Sequence, residues 1–220
     1  MLFKKLPRKI NLRYIVGEVL LLFLGINLAI WFNSWYASRQ MQSTRIEILD
    51  KIHGEIQNNA LDLEEGLISN QQIIAADAAY QRLYHKNSST VLATAQEIRA
   101  LAQEFPGYYI VKDSIPYSEG KMLYNGNTKV YFELLELSKI AWITAQNMTI
   151  TNELSFDCLY ELEGIYRLQD RVQAEVDKAF DALQAEDLDQ LKRNLGFLKQ
   201  IGAGLAIAYE EFLASPDLCK

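Results

Sequence analysis

The sequence predicts an all-α protein, with one N-terminal transmembrane helix followed by an extracytoplasmic bundle of four to five helices. Two observations favour this fold class. One long apolar stretch lies near the N-terminus, and apolar residues recur at helical spacing through most of the remaining chain. We expect a basic cytoplasmic segment over residues 1–13, a transmembrane helix over 14–36 and an extracytoplasmic helical domain over 37–220.

The apolar stretch Ile15–Trp35 is long enough to cross a bilayer. Its 21 residues span roughly 30 Å as an α-helix, which matches the thickness of the hydrocarbon core. Tyr14 precedes the stretch, and Trp31, Trp35 and Tyr36 stand at its far end. Because amphipathic aromatic rings favour the headgroup region, these four residues are predicted interface anchors.

The charge distribution predicts the orientation of this helix. Residues 1–13 carry five basic side chains and no acidic one, whereas the chain after Trp35 carries 17 basic and 27 acidic residues. Basic segments stay in the cytoplasm, so the remainder is expected outside it. A cleaved signal peptide is disfavoured, because cleavage after Ala37 would put the bulky Trp35 where a small residue is needed. The acidic domain also argues against a nucleic-acid partner.

Two polar residues interrupt the apolar stretch and are predicted membrane helix contacts. At about 100° per residue, Glu18 shares one face with Gly25 and Ala29, a small-x-x-x-small pair that allows close approach of another helix. Asn27 lies nearly opposite, where its amide can hydrogen-bond to a second neighbour. Other interpretations stay open: Glu18 can snorkel or pair with Arg13 of its own chain, and Asn27 can be a tolerated lone amide.

Residues 39–86 predict one long helix beyond the anchor. Its periodic apolar residues are Leu49, Ile52, Ile56, Leu63, Leu67, Ile74 and Ala78. The pattern has two gaps of seven, where Asn59 or Ala60, and then Asn70 or Gln71, stand in place of an apolar residue. Residues 87–90 predict a capping turn that opens a second helix over 91–105, ended by a proline.

Residues 106–127 predict an irregular loop, because they contain two prolines and three glycines. The loop also holds Tyr108, Tyr109, Tyr117 and Tyr124. Tyrosine offers rigid amphipathic contact area, so these four residues form a candidate recognition loop. Alternatively, the rings fold back and seal the bundle.

Three further helices are predicted over residues 129–143, 153–185 and 188–214. The last begins with a capping box formed by Asp187 and Gln190. Its charged residues leave too short an apolar run for a second membrane crossing. Gly202 and Gly204 are instead predicted to permit close helix packing.

The anchor resembles a bacterial family of single-span membrane proteins known only as a domain of unknown function. The matching pattern is G-E, an apolar run, G-I, an alanine and N-x-W, followed by a charged helix. It is carried by Gly17, Glu18, Gly25, Ile26, Ala29, Asn33 and Trp35. The resemblance covers roughly residues 13–59, and Asn27 departs from it. It implies a helical protein of Gram-negative envelopes, anchored in the inner membrane with a periplasmic C-terminal domain, and it supplies no activity.

The residues offer little catalytic or metal-binding chemistry. Asp50 and His53 share a helix face and match half of a di-iron motif, but no second copy of the motif appears. Cys158 and Cys219 form a candidate disulfide, but two cysteines 61 residues apart are weak evidence for one, and the favoured interpretation is a small core residue and a frayed tail. We therefore expect no enzyme activity, metal or cofactor.

The functional expectation is a non-enzymatic, membrane-anchored accessory subunit. Its partners would be the membrane and other proteins, either further copies of itself or components of a larger envelope complex. The alternative is a ligand-sensing helical ectodomain that signals through a partner.

Overall fold

A computed structural model of the chain describes residues 12–85, 90–118, 120–215 and 217–219. The structure is mostly helical and has a long apolar N-terminal helix, as predicted. It also contains a four-stranded antiparallel sheet, so the prediction of a purely all-α fold is wrong. Most of the basic segment 1–13, and most of the turn predicted at residues 87–90, lie outside the described residues.

The elements follow one another in a simple order. They are α1 (Leu12–Leu83), β1 (Tyr84–His85), β2 (Thr90–Ala93), α2 (Ala95–Glu104), β3 (Tyr109–Ser118), β4 (Lys121–Thr128), α3 (Ile140–Asn147), a 3-10 turn (Ile150–Glu153), α4 (Phe156–Gln184) and α5 (Leu188–Leu213).

The chain divides into two compact units, residues 1–49 and 50–220. Helix α1 contributes residues to both. In the first unit, every residue from 15 to 43 is exposed, as expected of side chains that meet lipid or other helices. Among the described helices, α1 alone is long and apolar enough to cross a membrane.

The second unit is built around one buried stripe of α1. The stripe advances by alternating steps of four and three residues, as in a heptad pattern. Its members are Ile52, Ile56, Asn59, Leu63, Gly66, Asn70, Ile73, Asp77 and Tyr80. Three of the nine side chains are polar, and each of these three hydrogen-bonds to another element.

Helices α4 and α5 pack against each other and against α1. Tyr166 and Gln169 of α4 hydrogen-bond to Glu55 and Asn59, so α4 runs in the same direction as α1. Helix α5 runs in the opposite direction. A Cβ added at Gly202 of α5 would lie 2.8 Å from Leu67 Cδ1, which confirms that this glycine permits close helix packing. At Gly204 an added Cβ would meet nothing within 4 Å, so the prediction of close packing at that glycine is wrong.

Residues 129–139 form neither a helix nor a strand, contrary to the prediction of a helix over 129–143, and their contacts indicate an extended backbone. Two asparagines of α1 hold this extended segment by side-chain pairing with its backbone. The Asn59 amide donates to Ser138 O (2.7 Å) and accepts from Ser138 N (2.8 Å). Asn70 makes the same pair with Glu133, at 3.0 Å for both bonds. Each asparagine side chain thus makes the pair of hydrogen bonds that a neighbouring strand would make, and the two pairings together are called the asparagine clamp.

The spacing of the two asparagines matches the spacing of their targets. Asn70 lies eleven residue steps after Asn59, which is roughly 16 Å along a helix, and the five steps from Glu133 to Ser138 cover about the same distance in an extended chain. Between the two pairings, Leu135 packs over Gly66, where an added Cβ would lie 2.5 Å from Leu135 Cδ2. Because the segment is held out of a helix by these contacts as far as Ser138, helix α3 begins only at Ile140.

Strands β3 and β4, which hold most of residues 106–127, form a β-hairpin where an irregular loop was predicted. Strands β3 and β4 pair in antiparallel register, and the sheet order is β1-β2-β4-β3. Register shifts between Val111 and Asp113, and between Pro116 and Ser118, break the alternation that would have indicated a strand. Residues 90–93 likewise form a strand, so α2 begins at Ala95, behind a capping box of Thr94 and Glu97.

Cys158 and Cys219 are joined by a disulfide bond, with Cα atoms 5.0 Å apart. The interpretation of Cys158 as a free core thiol is therefore wrong. Cys158 lies in the first turn of α4, where the Ser155 hydroxyl accepts from its backbone N–H (3.2 Å). The bond ties the C-terminal tail to this end of α4 and closes a loop of 61 residues.

The asparagine clamp yields a stability prediction. In Asn59→Leu, the Ser138 N–H loses its acceptor inside the protein, so the free energy of unfolding should fall by about 2 kcal/mol. Urea unfolding of the full chain in detergent, followed by circular dichroism, measures the change. The matched control is Asn58→Leu, since Asn58 is the exposed neighbour. Equal stability of the two variants would contradict the clamp.

The disulfide yields a second prediction. Replacing both Cys158 and Cys219 by alanine opens a 61-residue loop, which should lower the free energy of unfolding by about 4 kcal/mol in the chain-entropy account. Mass spectrometry of peptides from thiol-blocked native membranes should show the two cysteines linked. Two freely alkylated cysteines in that sample would refute the bond.

Candidate functional site: membrane face, buried polar network and open groove

The four predicted membrane helix contacts lie in the part of α1 that is exposed on all sides. Glu18, Gly25, Asn27 and Ala29 are all exposed, and an added Cβ at Gly25 would meet nothing within 4 Å. Asn27 Nδ2 donates to the Phe23 carbonyl one turn earlier, at 2.7 Å. Its own helix therefore satisfies one of the two amide donors. The role of these residues in helix contacts stays a prediction.

Aromatic residues cluster at the far end of the apolar stretch. The rings of Trp31, Phe32 and Trp35 follow one another, with centroids 6.2 Å and 5.6 Å apart. The Arg39 guanidinium lies over the Trp35 ring, 5.1 Å from its centroid. A cation held on a tryptophan is typical of the boundary between hydrocarbon and headgroups. Tyr36 is exposed beside this cluster, and the Tyr14 side chain lies outside the described ones.

The tyrosines of the predicted recognition loop separate into two groups. Tyr108, Tyr109 and Tyr124 are buried, so they seal the core beneath the hairpin, in agreement with the alternative interpretation. Tyr117 alone among the four is exposed, at 55%, and its ring lies 5.9 Å from that of His85. The rings of Tyr108 and Tyr109 pack against that of Tyr80 of α1, with centroids 6.2 Å and 5.2 Å away.

A buried carboxylate joins the sheet to two helices. Asp77 of α1 is 3% exposed, accepts from the Lys192 ammonium of α5 at 2.7 Å and accepts from the Tyr108 hydroxyl at 3.1 Å. The hydrogen bond to Asp77, and then the one to Asp189, raise the pKa of Lys192. Burial, and then the Asp77 charge, raise the pKa of Tyr108. The Asp77 carboxylate and the Lys192 ammonium therefore form an ion pair that links α1 to α5.

A second polar network surrounds Glu55 at the other end of the stripe. Its carboxylate accepts from the Tyr166 hydroxyl (2.7 Å), the Ser138 hydroxyl (2.8 Å) and the Ala141 backbone N–H (2.9 Å). The last bond caps helix α3 from another helix, since no side chain of its own N-cap does so. Burial and the hydrogen bond to Glu55 raise the pKa of the Tyr166 hydroxyl.

Gln169 extends this network. Its Nε2 donates to the carbonyls of Leu137 and Ser138, both at 2.8 Å, and its Oε1 accepts from the Tyr209 hydroxyl at 3.0 Å. Across the described residues, no buried side-chain nitrogen or oxygen lacks a partner. These groups therefore position α1, α4, α5 and the segment 129–139 relative to one another.

The described residues contain no cluster of three histidine, cysteine or acidic side chains that could hold a metal ion. Asp50 is exposed, and the His53 ring packs against Phe212, with centroids 6.5 Å apart. The half motif noted in the sequence is thus a surface carboxylate beside an imidazole in an aromatic contact.

An open groove of about 730 Å³ runs between α1 and α5 in the second unit. Its walls are mostly apolar or small, with a few charged and amide residues among them. The lining residues are Ala60, Leu61, Leu63, Glu64, Leu67, Ile68, Gln71, Gln72, Ala75, Lys199, Ala203, Ala206 and Glu210. Sequence analysis did not identify the groove. Leu61 and Ile68 could have indicated it, because these two apolar residues of α1 lie outside the buried stripe.

Comparison with known proteins finds no matching family model, no matching curated protein and no matching solved structure. The resemblance of the anchor to a family of single-span bacterial proteins therefore stays a prediction.

The buried hydroxyls yield a pH prediction. Burial raises the pKa of Tyr108, Tyr166 and Tyr209, so above pH about 10 the folded protein keeps protons that the unfolded chain loses. Stability should then be unaffected below that pH and fall as the pH rises above it. Urea unfolding between pH 8 and 11 measures this fall. Tyr166→Phe should reduce the slope, whereas Tyr117→Phe, at an exposed ring, should leave it unchanged.

Proposed function

We propose that this chain is a non-enzymatic accessory subunit, anchored in the bacterial inner membrane, that assembles with other proteins through its anchor and its helical domain. One observation carries the proposal. Helix α1 supplies an apolar stretch with every side chain exposed, and the same helix supplies the central stripe of a folded domain. A chain of this kind brings a helical domain to the membrane and leaves its span open to other helices.

The chemistry of the anchor supports assembly over simple attachment. Simple attachment requires only apolar side chains, yet this span carries Glu18 and Asn27 on nearly opposite faces. Polar groups in hydrocarbon are costly unless they meet a partner. Gly25 and Ala29 on the Glu18 face leave room for a helix to approach.

The disulfide supports a periplasmic location for the domain. Bonds of this kind persist in oxidising compartments and are rare in the cytosol, and Cys158–Cys219 lies in the second unit. The basic N-terminal segment, which is expected to remain in the cytoplasm, indicates the same orientation.

A ligand-sensing ectodomain is the second candidate, favoured by the size of the groove. A volume of about 730 Å³ falls in the range of small-molecule sites. However, the groove extends over four turns of α1, from Ala60 to Ala75, or roughly 22 Å. This elongated form fits a helix better than a compact metabolite, so the assembly function is preferred.

Substitutions in the anchor test the proposal. Gly25→Leu fills the gap on one face and Asn27→Leu removes the amide on the other, so each should weaken association about fivefold, or ~1 kcal/mol. Cross-linking in native membranes, followed by native electrophoresis, measures the fraction of the chain in complexes. Leu28→Phe is the matched control, since it adds bulk roughly 80–100° from both faces.

The outcomes are distinct. We expect the unaltered chain and Leu28→Phe to migrate in the same complex, larger than a monomer. A strictly monomeric unaltered chain would refute assembly through the anchor. Assembly through the anchor would be refuted equally if both Gly25→Leu and Asn27→Leu behaved like the control.

A further inference from the structure

The groove between α1 and α5 has the shape of a binding site for one helix. Its α1 wall spans Ala60 to Ala75, and its α5 wall advances from Lys199 to Glu210 through two alanines. Both walls are parts of long helices, which run antiparallel and meet where Leu67 packs against Gly202. A third helix of about four turns would lie along the pair.

The residue sizes along the groove fit this occupant. Ala203 and Ala206 on α5 replace the large side chains that would otherwise close the groove. On the α1 side, Leu61 and Ile68 stand exposed at 62% and 57%. An apolar helix face lying against the alanines would cover these two side chains, as helices do in groove recognition.

The charges of the groove are separated along its length. Lys199 and Glu210 are both exposed and lie eleven residues apart on α5, roughly 16 Å. Glu64 of α1 lies on the Glu210 side of the contact between Leu67 and Gly202, because the helices are antiparallel. One end of the groove is therefore acidic and the other basic.

The shape of the groove argues against a second copy of the chain that presents its own groove to this one. Two such grooves placed face to face are both concave, with alanines on the α5 wall of each, so neither supplies the convex helix face that fills the other.

We infer that the groove binds an amphipathic helix of a different protein, about four turns long, with an apolar face, a basic residue at one end and an acidic residue at the other. The basic end meets Glu64 and Glu210, and the acidic end meets Lys199. The inference deepens the proposed function, since the groove would be one surface through which the helical domain assembles.

Three synthetic peptides test the inference on the full chain held in an amphipathic polymer. Each is a helix of about sixteen residues with leucines spaced four, three and four apart. The first peptide carries a lysine at one end and a glutamate at the other. The second carries a lysine at each end, and the third carries a glutamate at each end. Fluorescence anisotropy of labelled peptides gives the dissociation constants.

The unaltered chain should bind the mixed-end peptide about tenfold more tightly than either of the others. Lys199→Glu makes both ends of the groove acidic, so the preference should switch to the two-lysine peptide. Ala203→Trp fills the groove at an exposed position and should abolish binding of all three. The matched control is Phe197→Trp, an exposed position of α5 that does not line the groove, and it should bind as the unaltered chain does.

The inference is overturned if no peptide binds, if all three bind equally, or if Ala203→Trp binds as well as Phe197→Trp. None of these outcomes depends on the anchor, because peptide binding is measured with isolated protein. Loss of complexes in Gly25→Leu without loss of peptide binding, or the reverse, therefore distinguishes a failure of the proposed function from a failure of the groove.

Discussion

The fold of the domain depends on the pairing of two helical asparagines with an extended backbone. Asn59 and Asn70 each give one donor and one acceptor to a single residue of the segment 129–139. A helix cannot normally pair with a strand, because its backbone groups are occupied internally. An amide side chain carries the same donor and acceptor, so it satisfies the backbone of this segment where no neighbouring strand is present.

The remaining polar contacts follow from the position of this clamp. Ser138 is fixed by Asn59, and its carbonyl and hydroxyl then meet Gln169 and Glu55. Glu55 in turn caps α3 and accepts the Tyr166 hydroxyl. Moving the segment by one residue would break all of these bonds together. Buried polar groups that are fully paired specify one register, which apolar packing alone does less strictly.

Much of the helical structure could be predicted from sequence, because it is encoded locally. The predicted helices over 153–185 and 188–214 agree closely with α4 and α5, and the Asp187 side chain caps α5 as expected. The predicted capping box is not complete, because the Gln190 side chain pairs with Asn194 and Arg193 instead. The extended segment could not be predicted in this way. Its Leu, Glu and Lys residues favour a helix, while its hydrogen-bond partners lie 63 and 79 residues away. The one available signal was an asparagine in each gap of the apolar pattern of α1.

The candidate functional residues differ in the same way: some are encoded locally in the sequence, and others depend on contacts between distant parts of the chain. The apolar stretch of α1 and the aromatic residues at its end depend only on composition and length, so the sequence predicts them. The groove depends on which faces of α1 and α5 lie side by side, and the Cys158–Cys219 bond depends on where the tail returns to α4. Neither is a local property. Sequence spacing alone left both possibilities open for the cysteines and gave no warning of the groove.

The polar groups of the two units contrast in a way that favours assembly through the anchor. In the second unit, each polar side chain of the buried stripe has a partner in another element. In the span, Asn27 pairs only with its own helix among the described contacts, and no described side chain pairs with Glu18. Under the proposed membrane location, the Glu18 carboxylate and the second Asn27 donor would lie where water is scarce. Neighbouring helices in the membrane would be the groups that satisfy them.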